Sequence, residues 1–261
     1  MPRFAANLSM MFQEHPFLDR FAAAAACGFR GVEFLFPYDH PAETIAETAA
    51  RAGVEIVLFN MPPGDFAGGE RGLASLPGRE AEVERGIATA LAYARTLGVT
   101  RLHMMAGLLP EESLRPQRLE LFRRSLAKAA AAAAPQAVRI LVEAINTRDI
   151  PGYLLNRQDD ALAQLDAVAA PNTALQLDLY HRQIMEGDLA AAIRRLLPRV
   201  GHIQIAGTPG RHEPDLGEVN YPFLFDLLDE LGYAGWIGCE YRPRAGTREG
   251  LGWAARWGIG G

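Results

Sequence analysis

Three acidic side chains and one amide stand at similar places in four short apolar stretches of the chain. Glu143 ends the stretch LVE, Asp178 ends LQLD, Gln204 lies within HIQI, and Glu240 follows GC. Because burying a carboxylate is costly unless it is paired or bound to a metal, three such acids call for a shared partner. Their oxygens and the amide oxygen form a ligand set that suits Mg²⁺ or Mn²⁺ better than zinc. The alternative is that each acid caps a helix or pairs with an arginine.

Several histidines could add hydrogen-bonding groups to these acids. His181 follows the second acid by three residues and could hydrogen-bond a substrate oxygen. His212 lies beside Arg211 in the polar stretch GRHEP, and recognition residues are expected in loops of this kind. His103 would either line a site or fill its wall, and His202 is either a core histidine or a ligand.

The elements that carry these residues follow a repeating pattern of strand and helix. Eight short apolar runs are interpreted as strands, at residues 4–7, 31–36, 55–60, 101–105, 140–144, 174–178, 202–206 and 236–241. Stretches with helical periodicity follow them or separate them, at 17–27, 42–52, 80–97, 119–134, 159–168, 189–197, 222–231 and 248–257. Eight βα units in about 250 residues predict a single α/β domain, a (β/α)8 TIM barrel spanning residues 1–261.

In such a barrel, the loops at the carboxyl ends of the strands build the active site. The four candidate ligands belong to the fifth to eighth strands, so we expect them to meet at that end. Two loops there are long and polar, residues 60–77 after the third strand and 207–221 after the seventh. The first contains Glu70 and Arg71, and the second contains Arg211 and His212, so both loops could contact a substrate.

Composition narrows the class of function. The 261 residues are 49% hydrophobic and 22% charged, which is typical of a folded globular protein. A net charge of −5 without a basic block argues against a nucleic-acid partner, and no apolar run approaches a membrane span. Lys128 is the only lysine, which argues against Schiff-base chemistry. Cys27 and Cys239 are far apart in sequence and predict buried thiols in a reducing cytoplasm.

Longer motifs carry a resemblance to a known family. They are FAANLS at 4–9, NMPPGD at 60–65, GHIQIA at 201–206, GRHEP at 210–214, GEVNY at 217–221 and GCEY at 238–241. Together they resemble the hydroxypyruvate isomerase family of xylose isomerase-like TIM barrels, over nearly the whole chain. Related ketose 3-epimerases usually carry histidine at the position of Gln204, which argues against the epimerase alternative.

The resemblance implies an isomerase that interconverts hydroxypyruvate and 2-hydroxy-3-oxopropanoate by proton transfer through an enediolate. Glu143 and Glu240 would be the catalytic acid and base. A divalent metal, Mg²⁺ or Mn²⁺, would be held by Glu143, Asp178, Gln204 and Glu240. Substrate oxygens would be bound by His181, Arg211 and His212, with Glu70 and Arg71 as weaker candidates. The cation for the substrate carboxylate is left open among Arg71, Arg148, Arg211 and Arg242.

Other functions remain compatible with the sequence. A close relative that isomerises a longer 2-oxo sugar acid, of the 2-oxo-tetronate type, would differ only in the length of its cavity. A metal-dependent endonuclease on the same fold would need further histidine ligands and a basic groove, and neither is evident. A non-catalytic sugar-acid-binding protein would leave the two glutamates unexplained. A homo-oligomer is compatible with the sequence but nothing in it requires one.

Overall fold

A closed barrel of eight parallel strands forms the centre of the protein. The computed structural model describes residues 1–260. The strands pair in chain order, and the last pairs with the first, so the sheet has no free edge. They are β1 (Arg3–Asn7), β2 (Gly31–Phe34), β3 (Glu55–Asn60), β4 (Arg101–His103), β5 (Arg139–Glu143), β6 (Thr173–Asp178), β7 (Val200–Ile205) and β8 (Trp236–Cys239). The predicted TIM barrel is confirmed, with every strand end within two residues of its predicted position.

Helices surround the barrel and cover its outer face. They are α1 (Arg20–Ala26), α2 (Ala42–Ala52), α3 (Glu80–Leu97), α4 (Arg115–Ala133), α5 (Gln158–Val168), α6 (Leu179–Met185), α7 (Leu189–Leu196) and α8 (Tyr221–Glu230). In α3 one apolar stripe is buried against the barrel, as its spacing predicts, and consists of Val83, Ile87, Ala90, Leu91 and Ala94. No helix within residues 1–260 is long and apolar enough to cross a membrane.

Two helical segments differ from the sequence prediction by more than the position of their ends. The short helix α6 was not predicted, because it starts directly after β6 without an intervening loop. Residues Arg248–Trp257 were predicted as a helix and instead form a 3₁₀ helix. Gly250 and Gly252 weaken the α-helical preference of this segment. Packing holds it in place, because the rings of Trp253 and Trp257 each lie 5.1 Å from the ring of Phe4 in β1.

Candidate active site

A cavity of about 310 Å³ opens at the carboxyl end of the barrel. One part of its wall is apolar and is formed by Met10, Leu35, Phe66, Met105, Ile145 and Ile150. The polar part contains Asn60, Arg71, His103, Glu143, Asp149, His181, Arg211, Glu240 and Arg242. Both long loops contribute to this wall, which agrees with their predicted place at the active-site end of the barrel.

Three of the four predicted metal ligands meet at this end of the barrel. Glu143 ends β5, Asp178 ends β6, and Glu240 is the first residue after β8. One oxygen of each, together with a ring nitrogen of His181, lies within 4.8 Å of the others, and all four residues are buried. The sequence therefore located this acid cluster correctly from the positions of the strand ends.

The two oxygens of Asp178 have different surroundings. Oδ1 accepts hydrogen bonds from the backbone N–H groups of Tyr180 (2.7 Å) and His181 (3.3 Å), so this acid caps α6. Oδ2 has no hydrogen-bond partner within residues 1–260, and the same is true of Oε1 of Glu143. Two buried carboxylate oxygens without partners are the feature expected of ligand atoms for a hard cation. The donor set therefore fits a divalent metal.

Burial and mutual repulsion make the three carboxylates hard to ionise together. Burial raises the pKa of Glu143 well above its ordinary value, and the neighbouring charges of Glu240 and Asp178 raise it further. Burial likewise raises the pKa of Asp178 to about 6 and that of Glu240 to about 8, although nearby Arg211 opposes both shifts. Positive charge added to this cluster would favour the ionised carboxylates.

Arg211 supplies part of that charge. Its guanidinium donates to Oε2 of Glu240 (2.6 Å) and to Oδ2 of Asp149 (3.0 Å). Burial lowers the pKa of Arg211, but the facing carboxylates outweigh this effect and raise it above its ordinary value. The Arg211 backbone has φ of 56°, a left-handed conformation that is uncommon for a residue other than glycine. The loop thus adopts a costly turn at the residue that reaches the acids.

Asn146 determines which ring nitrogen of His181 carries the proton. The Asn146 Oδ1 accepts from the backbone N–H groups of Arg148 (2.9 Å) and Asp149 (2.7 Å), which orients the amide. Its Nδ2 therefore faces Nδ1 of His181 at 2.6 Å and donates to it. The imidazole proton must then sit on Nε2, which lies 3.5 Å from Oδ2 of Asp178. In this tautomer His181 offers a hydrogen-bond donor to the site rather than a lone pair to a metal.

A second group of buried polar side chains lies beside the acids inside the barrel. Glu33 Oε1 accepts from Asn7 Nδ2 (3.0 Å) and Gln204 Nε2 (2.7 Å), and its Oε2 lies 2.6 Å from Nε2 of His202. Gln176 Nε2 in turn donates to Oε1 of Gln204 (2.6 Å). We call these five residues the Glu33 network. His202 is therefore a core histidine, one of the two alternatives that the sequence left open.

The Glu33 network connects to the acid cluster through Asn7, whose Nδ2 also donates to Oε1 of Glu240 at 3.3 Å. Gly238 makes room for the carboxylate of Glu33, because a Cβ at position 238 would come within 2.3 Å of Oε2 of Glu33. Gln204 lies level with Asp178 in the sheet. Both polar atoms of the Gln204 amide bond within the network, so its role as a metal ligand stays a prediction.

The structure places the other predicted substrate residues in different surroundings. Arg71 lines the cavity, with its guanidinium 4.1 Å from the ring centre of Phe66. Glu70 lies outside the cavity wall and pairs with Arg79 at 2.6 Å. The ring of His212 also lies outside the wall, with Nδ1 at 2.8 Å from the backbone oxygen of Arg242.

Several residues of this site are not predicted by the sequence. Glu33 carried a usable signal, because it is an acid inside the apolar run GVEFLF, as Glu143 and Asp178 are in theirs. Asn7 and Asn146 carried none, since a single asparagine near a strand end is common and its partners are distant in sequence. Their roles follow only from the hydrogen bonds described above.

Comparison with known proteins agrees with this geometry. Residues 21–257 match the sequence model of the family described as xylose isomerase-like TIM barrel. The chain is 59% identical to the 2-oxo-tetronate isomerase of Cupriavidus necator, over 97% of both chains. It is 44% identical to the hydroxypyruvate isomerase of Escherichia coli, over 97% of this chain and 98% of that protein.

A solved structure from Brucella melitensis, titled AP endonuclease, family 2, superposes with a TM-score of 0.96. It is 50% identical, over 98% of this chain and 99% of that one. The eight-stranded barrel, the acid cluster at its carboxyl end and the named relatives agree. The chain is an isomerase that belongs to the xylose isomerase-like TIM barrel family, together with the hydroxypyruvate and 2-oxo-tetronate isomerases.

Proposed function

We propose that this isomerase acts on a 2-oxo acid with a hydroxyl group on the adjacent carbon, and that its substrate is 2-oxo-tetronate. The observation that carries the choice is the 59% identity to a 2-oxo-tetronate isomerase, against 44% to a hydroxypyruvate isomerase. The relatives therefore favour the longer sugar acid, the alternative in the sequence analysis, over hydroxypyruvate. The two substrates share one reaction and differ by a single CH₂OH group.

The reaction moves one hydrogen from C3 to C2 and a second from the C3 oxygen to the C2 oxygen. One carboxylate of the pair Glu143 and Glu240 takes the proton from C3, and the electrons of that C–H bond form the C2=C3 bond of an enediolate. A proton then returns to C2 from the pair, and the C3 oxygen becomes the carbonyl as its proton passes to the C2 oxygen. The two acids suit this task because an oxygen of each lies within 4.8 Å of the other.

The same acids suit a divalent cation. Glu143, Asp178 and Glu240 would hold Mg²⁺ or Mn²⁺, and Gln204 would join them if its amide turned away from Gln176. A bound cation would supply Lewis-acid polarisation of the substrate carbonyl. The unpartnered oxygens of Glu143 and Asp178 are the support for this assignment.

Donors around the acids would hold the substrate oxygens. His181 points an N–H toward the cluster, and Arg211 lies over Glu240, so both can donate to the oxygens at C2 and C3. Arg242 lines the cavity, and its guanidinium has no ion pair within residues 1–260. We assign the substrate carboxylate to Arg242, with Arg71 as the second choice, because the guanidinium of Arg71 already donates to two backbone oxygens.

The test compares 2-oxo-tetronate with hydroxypyruvate in D₂O, with Mg²⁺, with Mn²⁺ and with a chelator, and follows deuterium incorporation by NMR. We expect turnover of both acids, a higher kcat/KM for 2-oxo-tetronate, and loss of turnover with the chelator. A higher kcat/KM for hydroxypyruvate would reverse the substrate assignment. No turnover of either acid in any condition would refute the proposal.

We also propose that the partner is a small molecule rather than nucleic acid, and that the protein works in a reducing cytoplasm. The net charge of −5 supports the first point, because a duplex is bound mainly through its phosphates. Both cysteines are free and buried, which supports the second. Because one similar structure bears an endonuclease title, a duplex with an abasic site is the informative probe, and we expect it to remain uncut.

A further inference from the structure

His103 is a buried histidine whose ring has no hydrogen-bond partner in the described part of the chain. It ends β4, and only 1% of its surface is exposed. Neither Nδ1 nor Nε2 makes a hydrogen bond within residues 1–260, although the residue lines the active-site cavity. An unsatisfied buried polar group costs free energy, and apolar side chains of similar size could fill the same place. The ring therefore calls for an explanation other than packing.

The groups around His103 do not supply that explanation. The closest acid oxygen is Oε2 of Glu143, and at 3.7 Å from Nδ1 it is too far for a hydrogen bond. His103 also lies outside the cluster formed by Glu143, Asp178, His181 and Glu240. The other two buried histidines differ, since His202 is bonded to Glu33 and His181 to Asn146.

Both ring nitrogens of His103 are available to a molecule bound in the cavity, because neither makes a hydrogen bond within residues 1–260. A neutral imidazole has one N–H donor and one lone-pair acceptor. This combination matches a hydroxyl group, which can both donate and accept, better than it matches a carboxylate, which only accepts. Its place in the cavity wall puts Nδ1 at 3.7 Å from Oε2 of Glu143, one of the proposed proton-transfer groups.

We infer that His103 is a further substrate-contacting residue, which binds a hydroxyl group of the substrate beside Glu143. The inference rests on the proposed function, because it takes the ligand to be a hydroxylated 2-oxo acid. The contact would satisfy one of the two ring nitrogens and would orient the hydroxyl-bearing carbon toward the carboxylate.

Two substitutions at this position test the inference. His103→Leu removes both polar atoms, and we expect kcat/KM to fall roughly tenfold to a hundredfold, since a lost contact to a substrate hydroxyl has effects of this order or larger. The melting temperature should stay the same or rise, because the variant removes an unsatisfied buried group. His103→Gln keeps a donor and an acceptor and should recover most of the lost kcat/KM. His40→Leu, at a histidine outside the cavity wall, is the matched control.

Three outcomes would overturn the inference. If His103→Leu lowers the melting temperature and kcat/KM together, and His103→Gln rescues neither, the residue is structural. If both variants keep wild-type kcat/KM, the ring does not touch the substrate. If Mn²⁺ affinity, measured by electron paramagnetic resonance, falls tenfold or more in His103→Leu, the ring is a metal ligand. An inactive wild-type protein would instead count against the proposed function, so the two failures are distinguishable.

Discussion

Glu33 and Glu143 are equally inaccessible acids inside one barrel, yet their oxygens are satisfied to very different degrees. Their exposed fractions are 1% and 4%. Both oxygens of Glu33 are bonded, to Asn7, Gln204 and His202. Within residues 1–260, Oε1 of Glu143 has no hydrogen-bond partner, and Nε2 of His181 lies 3.8 Å from it, beyond hydrogen-bond distance. Burial alone therefore does not separate the two acids, whereas their hydrogen bonds do.

The difference indicates that Glu33 supports the site, whereas the acid cluster contains the groups that can react. The carboxylate of Glu33 is bonded on both oxygens, which fixes its neighbours, including the Asn7 amide that also bonds Glu240. Within residues 1–260 the atoms left unpartnered in the Glu33 network are the amide oxygen of Gln176 and the ring nitrogen Nδ1 of His202, and neither is a carboxylate oxygen, which costs more to leave unpaired. The acid cluster has its unpartnered atoms on the carboxyl groups of Glu143 and Asp178, where a cation or a substrate can bind them. In metal sites, residues with satisfied hydrogen bonds orient the groups that bind the metal.

The largest expected effect concerns the reactive acids. We expect Glu143→Gln and Glu240→Gln each to lower kcat by about 10²- to 10⁴-fold, because each change removes a proton-transfer group while keeping its shape. Stopped assays with 2-oxo-tetronate measure the rate, and circular dichroism checks the fold. A variant that keeps more than roughly a tenth of the wild-type rate would exclude that residue from the catalytic pair.

Glu33→Gln should affect stability where Glu143→Gln does not. Replacing the carboxylate of Glu33 by an amide disturbs its three hydrogen bonds, to Asn7, Gln204 and His202, so we expect a loss of about 3 kcal/mol in the free energy of unfolding. Glu143→Gln removes a carboxylate that is costly to bury, so the metal-free protein should keep or gain stability. Urea unfolding of both variants in chelator measures the contrast. Equal losses would show that the two acids do not differ as described.

The stability of the metal-free protein should depend on pH, because two acids of the cluster have raised pKa values. Burial raises the pKa of Asp178 to about 6 and that of Glu240 to about 8, above the ordinary values of 3.8 and 4.5. Between the ordinary and the raised pKa values the folded protein holds more protons than the unfolded chain, so stability falls as pH rises. We expect the melting temperature in chelator to fall from pH 5 to pH 8.

Added Mg²⁺ or Mn²⁺ should reverse that fall. The cation competes with protons for the carboxylates, so its stabilisation should be larger at pH 8 than at pH 5. At a free concentration 100 times Kd it would reach about 2.7 kcal/mol. Scanning calorimetry with and without the cation measures it, and a stabilisation independent of pH would argue against coordination by these acids.

The smallest expected effect is a change in metal preference. Gln204→His should preserve a site but shift its preference toward Co²⁺ and other transition metals, because imidazole suits them better than an amide oxygen does. Titrations with Mg²⁺, Mn²⁺ and Co²⁺ compare the variant with the wild type. An unchanged order of affinities would place Gln204 in the supporting network only, where it already bonds Glu33 and Gln176.

Local sequence patterns determined the barrel and the acid cluster. Strand and helix periods reflect which side chains are buried, and this information is contained within each element, so α2 and α3 were predicted at their observed bounds. Parallel strands bring their carboxyl ends to one side, which was enough to gather Glu143, Asp178 and Glu240. The helix α6 could not be predicted in this way, because it is short and starts directly after β6 without an intervening loop.

Which partner each polar atom takes was decided only by the tertiary structure. Glu33 meets His202 across 169 positions of sequence, and Asn146 sets the tautomer of His181 from a different strand end. Arg211 and His212 are adjacent in the chain, and the backbone makes a left-handed turn at Arg211. The side chain of Arg211 bonds Glu240, whereas that of His212 lies outside the cavity wall. The periodicity of the sequence indicates which side chains are buried. A hydrogen bond also needs two atoms at a suitable distance and angle, and the closed barrel sets both.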